Sequence, residues 1–176
     1  GKVQKKQGWM DRLAGTQTQE EVFKLPFSLV QPNGIAIDSQ GRIYTADSKV
    51  GAVFIFNPET KELDLIKHKT HANFSRIVGV AMDDNDRLFV SDNRSILVFD
   101  NISTATGNVT PRVLNSFHGP GVFGNFIGIA LDTVNNHLYA GVNGTNGISG
   151  PMEVRVFHNA SSASNPRCVA RTIAWA

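Results

Sequence analysis

One pentapeptide pattern, Gly-apolar-Ala-apolar-Asp, returns three times along the chain: as Gly34-Ile35-Ala36-Ile37-Asp38, as Gly79-Val80-Ala81-Met82-Asp83, and as Gly128-Ile129-Ala130-Leu131-Asp132. The glycines lie 45 and 49 residues apart, and a Tyr or Phe follows each of them by ten, ten and eleven residues, at Tyr44, Phe89 and Tyr139. Self-similarity at such a period constrains the fold more than composition does, because each copy has to be one supersecondary unit that buries its faces against its neighbours. A third run then recurs as Ala52–Phe56, Ser95–Phe99 and Glu153–Phe157, and a weaker fourth as Leu63–Ile66, Arg112–Leu114 and Val169–Ile173. All four kinds of run are short, rich in Val, Ile, Tyr and Phe, and bounded by Gly, Asn, Asp, Ser and Pro, which is the signature of strands joined by turns.

Outside the first twenty residues no stretch keeps a helical apolar period for three turns, so no helical layer is expected. Four-stranded antiparallel units recurring at this spacing predict an all-β protein built of β-propeller blades, over residues 32–70, 76–116 and 125–175 within a region 21–176. A β-sandwich of independent hairpins would leave the recurrent Gly and Ala unexplained, whereas a propeller needs small residues where its innermost strands crowd. The first strand of each unit is therefore expected to be the inner one.

The residues of the first unit also resemble a known family. Pro32-Asn33-Gly34-Ile35-Ala36-Ile37-Asp38, then Gly41-Arg42-Ile43-Tyr44-Thr45-Ala46-Asp47-Ser48, then Val53-Phe54-Ile55-Phe56 is similar to the NHL repeat, P-x-G-I-A-V-D, G-x-I-Y-V-A-D and a closing V-x-V-F. The second unit departs at Val78 and has Ser91-Asp92 for Ala-Asp, and the third has Asn143 near the Asp position and a longer Gly-rich insertion to Gly150. Phe99-Asp100-Asn101-Ile102-Ser103 and Phe157-His158-Asn159-Ala160-Ser161 resemble the outer turns of a bacterial subgroup of such propellers. The resemblance covers about residues 22–175 and implies a six-bladed ring. Here there are three blades plus Val22-Phe23-Lys24-Leu25, which reads as the orphan outer strand of a preceding blade, so the chain amounts to half a ring. Its completion falls to the remainder of a longer polypeptide, to a second copy in a homodimer, or to another protein. Residues 1–20, with Trp9, Met10 and Leu13, form a leader or docking segment.

Several functions are disfavoured by what the sequence lacks. The net charge is +2 with no basic cluster, against a nucleic-acid partner, and no apolar run approaches the length of a membrane helix. Cys168 stands alone, which excludes an internal disulfide and a cysteine zinc site, and is expected to be a small buried residue. His68, His71, His118, His137 and His158 show no metal-binding spacing, and neither a nucleophile elbow nor a phosphate loop occurs. No cofactor is expected.

Asp38, Asp83 and Asp132 recur in every unit and are read as structural acceptors of backbone N–H groups in the turn after the inner strand. In an up-and-down blade, the loops leading into the first strand share a face with the turns between the second and third. Candidates for contacting a ligand or partner there are Asn33, Asp47, Lys49, Asp92, Asn93, Arg94, Asn125, Asn143 and Asn146, although Asp47 and Asp92 also suit the capping of their own turns. The favoured reading is a non-enzymatic, extracytoplasmic binding or scaffold module that offers this loop face to a protein; a purely structural subunit of a surface assembly is a further possibility. The alternative is a metal-dependent lactonase of the gluconolactonase or paraoxonase type, which Asn33 resembles in one ligand. The matching positions in the other units, Val78 and Ile127, offer no oxygen for a hard cation. Six Asn-x-Ser/Thr triplets, starting at Asn73, Asn93, Asn101, Asn108, Asn143 and Asn159, reflect either glycosylation or Asn-rich turns, and together with the single cysteine the Ser/Thr/Asn-rich outer turns fit a periplasmic or secreted chain.

Overall fold

A computed structural model describes residues 28–66, 74, 76–100, 102, 111–116, 124–144, 152–162 and 168–171. The leader 1–20, the orphan strand at 22–25, the side chain of Cys168 and the site candidate Asn146 lie outside the described residues. Among the described residues all regular structure is β. The first sheet holds β1 (Pro32–Ile37), β2 (Ile43–Asp47), β3 (Ala52–Phe56) and β4 (Leu63–Ile66). The second holds β5 (Ile77–Met82), β6 (Leu88–Asp92), β7 (Ser95–Phe99) and β8 (Arg112–Ser116), and the third β9 (Asn125–Asp132), β10 (His137–Asn143), β11 (Glu153–His158) and β12 (Cys168–Arg171). Each sheet is an antiparallel meander with its strands in chain order. The three sheets are propeller blades, and they do not close a ring.

The hairpin between the first and second strand needs one left-handed residue in every blade. Gly41, Asp86 and Asn136 supply it at φ values of 77°, 56° and 53°, residue types that tolerate that region. The inner position of the first strands also rests on contact, since β1 packs on β5 and β5 on β9. A Cβ on Gly34 would stand 3.2 Å from the Val80 backbone nitrogen, and one on Gly79 would stand 3.4 Å from that of Ile129. The recurring glycine thus lets inner strands approach backbone to backbone.

The core lies between blades rather than within them. Tyr44, Ala46 and Val53 of the first blade interlock with Val80, Leu88, Val90 and Phe99 of the second. The opposite face of the second blade, with Phe89, Ile96 and Val98, meets Leu138, Ala140 and Phe157 of the third. Alternation along β6 therefore sends Leu88 and Val90 one way and Phe89 the other, which is why these strands read as continuous apolar runs. Each fully buried aromatic contributes on the order of 2–3 kcal/mol.

The outward faces of the first and third blades have no such partner among the described residues. Tyr44 and Phe89 are 0% exposed, but Tyr139 at the same repeat position is 37% exposed. Ile35 and Ile37, on the far side of β1, are 67% and 59% exposed, whereas their counterparts Val80 and Met82 are buried and half-buried.

Candidate functional site

The repeat aspartates hold the turns that follow the inner strands. Asp38 accepts the backbone N–H groups of Gln40 at 3.0 Å and Arg42 at 2.9 Å on one oxygen. Its other oxygen accepts from the Arg42 guanidinium at 2.7 Å and the Tyr44 hydroxyl at 3.0 Å. Asp83 likewise accepts the backbone N–H groups of Asn85 and Arg87, both at 2.9 Å, on one oxygen, while its other oxygen is ion-paired with the Arg87 guanidinium at 3.0 Å. Asp132 accepts both the backbone and the side-chain N–H of Asn135, at 3.0 and 2.7 Å. Burial pushes the Asp38 carboxyl up, but the Arg42 and Tyr44 donors outweigh it and hold the group below the usual carboxylate range. Burial, followed by the bond to Asp38, pushes the Tyr44 hydroxyl up. Sequence reasoning missed the arginine partners, whose signal is an Arg four residues after the Asp in the first two units.

These turns also tie the blades together on the face away from the candidate loops. The Ser39 backbone N–H and hydroxyl both donate to Asp86, at 2.7 and 2.5 Å. Arg87 donates to the Ser161 carbonyl and Arg112 to that of Ala160, the latter at 3.3 Å.

On the loop face the eight described candidates separate. Asp47, counted above among possible ligand contacts, is instead fully buried, with both oxygens occupied. One oxygen accepts from Val30 and Gln31 at 2.6 and 3.0 Å, and the other from Lys49 and Val50 at 2.9 and 2.8 Å. Burial raises its carboxyl, yet these four backbone N–H groups prevail and hold it low. It is a clamp that joins the lead-in loop to the β2–β3 turn, an arrangement completed by the Ser48 N–H donating to the Gln31 carbonyl at 3.0 Å. Asp92, its counterpart, accepts the Arg94 N–H at 3.2 Å and is half-buried. Asn33 donates to the Gln31 carbonyl at 3.4 Å, and Lys49 and Arg94 are exposed.

Asn93, Asn125 and Asn143 converge. Together with Arg76 and the apolar Val78, Phe126 and Ile127 they line a cleft of about 380 Å³ between the second and third blades. The backbone fixes their relative positions. Asn125 and Asn143 are register partners at the end of the β9–β10 ladder. The Asn93 N–H donates to the Arg76 carbonyl and the Phe126 N–H to the Asn93 carbonyl, both at 2.8 Å. Arg76 was not singled out in the sequence. It stands three residues before its repeat glycine, where the other units have Gln31 and Asn125, so the position is polar in all three.

On the opposite ends of β10 and β11, His137 and His158 are register partners whose ring nitrogens Nε2 and Nδ1 lie 2.7 Å apart. They are 21 residues apart in sequence, so no linear spacing announces them. No group of three or more His, Cys, Asp or Glu able to hold a metal occurs among the described residues.

With this geometry in place, comparison with known proteins gives one match to a family model, within the first blade. Residues 29–56 match the model of the NHL repeat. That match spans β1 to β3. Its fold is shared with solved β-propeller structures. One is hydrazine synthase from Kuenenia stuttgartiensis, at a TM-score of 0.54 and 16% identity over 80% of this chain and 38% of that one. Another is the extracellular domain of a putative hybrid two-component system from B. thetaiotaomicron, at 0.59 and 9% over 83% and 17%. A nidogen/laminin complex gives 0.55 and 21% over 79% and 48%. At these identities the likeness is one of fold, and the chain spans less than half the length of each of these three. No curated protein matches the chain.

Proposed function

We propose that this chain is a non-enzymatic β-propeller module, working outside the cytoplasm, that presents its loop face to a protein partner. The observation that carries the reading is the division of labour among polar side chains. The buried carboxylates Asp38 and Asp47 are engaged by backbone N–H groups of their own turns, while neutral carboxamides gather in the cleft between the second and third blades. Carboxamides donate and accept at once, which suits recognition of another chain's polar groups. The exposed Ile35, Ile37 and Tyr139 mark flanks against which further blades pack, supplied by the same polypeptide or by a second copy. The Asn-x-Ser/Thr triplets and the likeness to an extracellular domain support a place outside the cytoplasm.

The test is cross-linking of the natively purified protein, compared between wild type and an Asn93→Ala/Asn143→Ala double variant. The expected result is a specific partner protein lost with the double variant. Divalent-metal-dependent lactone hydrolysis that disappears on Asn33→Ala, with no change in cross-linking, would overturn the reading in favour of an enzyme.

A further inference from the structure

The cleft between the second and third blades has a lining chemistry that selects among partners. Its one charged side chain is that of Arg76, which is exposed and has no carboxylate within ion-pairing distance among the described residues. Asn93, Asn125 and Asn143 supply carboxamides, and no Asp or Glu contributes to the lining. A cationic or amine ligand would meet a guanidinium and no counter-charge, so the cleft is built against it. A carboxylate would find the planar fork that Arg offers for bidentate pairing.

Charge alone does not account for the remaining lining. Val78 and Ile127 form an apolar wall, Ile127 being 47% exposed, beside the three carboxamides. An amide group, which donates from N–H and accepts at C=O, is the complement of a carboxamide, and an apolar side chain is the complement of the wall. Carboxylate, amide and apolar side chain occur together, one residue long, at the end of a polypeptide. The geometry points to this cleft as a receptor for the C-terminal carboxylate of an extended peptide ending in an apolar residue. In it Arg76 holds the carboxylate, the Asn side chains bracket the last amide, and Val78 and Ile127 receive the final side chain. This rests on the loop-face reading above and names the part of the partner that docks.

The experiment is calorimetric titration of the natively purified protein with the peptide acetyl-Gly-Ala-Val as its free acid and as its C-terminal amide. The free acid should bind about tenfold more tightly than the amide, since a charge-assisted pair is lost with the charge. Arg76→Gln should abolish that preference, and Arg76→Lys should retain part of it. Because Arg76 is exposed, neither change disturbs the core. Equal binding of acid and amide would overturn the inference, as would a preference that survives Arg76→Gln, or acetate alone binding as tightly as the peptide. A partner cross-linked through the loop face but indifferent to its own carboxyl terminus would also overturn it, while leaving the loop-face reading in place.

Discussion

The first and third blades place the same repeat positions in opposite circumstances. In the first, Gly34 meets the backbone of the next inner strand, Tyr44 is buried with its hydroxyl on Asp38, and Asp47 clamps two loops. In the third, a Cβ on Gly128 would meet nothing within 4 Å, Tyr139 is partly exposed, and the register position of Asp47 holds the buried Val142, with Asn143 one residue further on in the wall of a cleft. The difference lies in the neighbour more than in the repeat. Gly34 and Tyr44 acquire their surroundings from the blade that follows, and the third blade has none after it among the described residues. Asp47 ties the lead-in loop to the β2–β3 turn, whereas Val142 has no carboxylate with which to do so.

The largest expected effect comes from breaking the clamp. Asp47→Ala leaves four backbone N–H groups without their acceptor and should destabilise the protein by about 3 kcal/mol in urea unfolding. Asn143→Ala, in the cleft wall of the third blade, should cost less than about 1 kcal/mol. The clamp also sets a pH dependence. The carboxyls of Asp47 and Asp38 are lowered on folding, so their contribution is present above the unfolded-state value near pH 4 and is lost as pH falls through the folded-state values. Asp47→Asn should therefore flatten the acid limb of the stability curve.

A smaller effect sharpens the comparison at the glycines. A Cβ at Gly79 would come within 3.3 Å of the Ser91 hydroxyl and 3.4 Å of the Ile129 nitrogen, so Gly79→Ala should cost about 1–2 kcal/mol. Gly128→Ala should be harmless if the third blade ends in solvent, and should cost a similar amount in the native assembly if another blade packs there. Thermal unfolding of the natively purified variants separates the two, and the proposed completion of the ring requires the second result. The smallest effect is expected at the aromatics. Tyr44→Phe removes a buried bond to Asp38 and should cost about 1 kcal/mol, while Tyr139→Phe should be within measurement error. Phe89 occupies the equivalent site in the second blade, so the phenyl ring itself fits.

The blades are legible in the sequence because each repeat writes its own period. The Gly-apolar-Ala-apolar-Asp pattern located β1, β5 and β9 and placed them innermost, where β1 packs on β5 and β5 on β9; Gly34 serves a φ of 77° there as well as the close approach. The site is less legible. Sequence alone kept both Asp47 and Asn93 as candidates while noting that Asp47 also suits capping its own turn; burial separates them, and it is conferred by the lead-in loop at Val30 and Gln31. Arg76 escaped notice because an isolated Arg before a strand carries no pattern until its repeat equivalents Gln31 and Asn125 are aligned with it. His137 and His158 become neighbours only through the β10–β11 register, which the loop between them conceals.

That a further blade covers the third blade's outward face is the claim on which the rest depends, and Tyr139 reports on it directly. Hydroxyl-radical footprinting of the natively purified protein, with Tyr44 as the internal buried standard, compares the two rings in one sample. The account predicts that Tyr139 is protected to nearly the same degree as Tyr44. Oxidation of Tyr139 at the rate of an exposed tyrosine, with Tyr44 still protected, would contradict it.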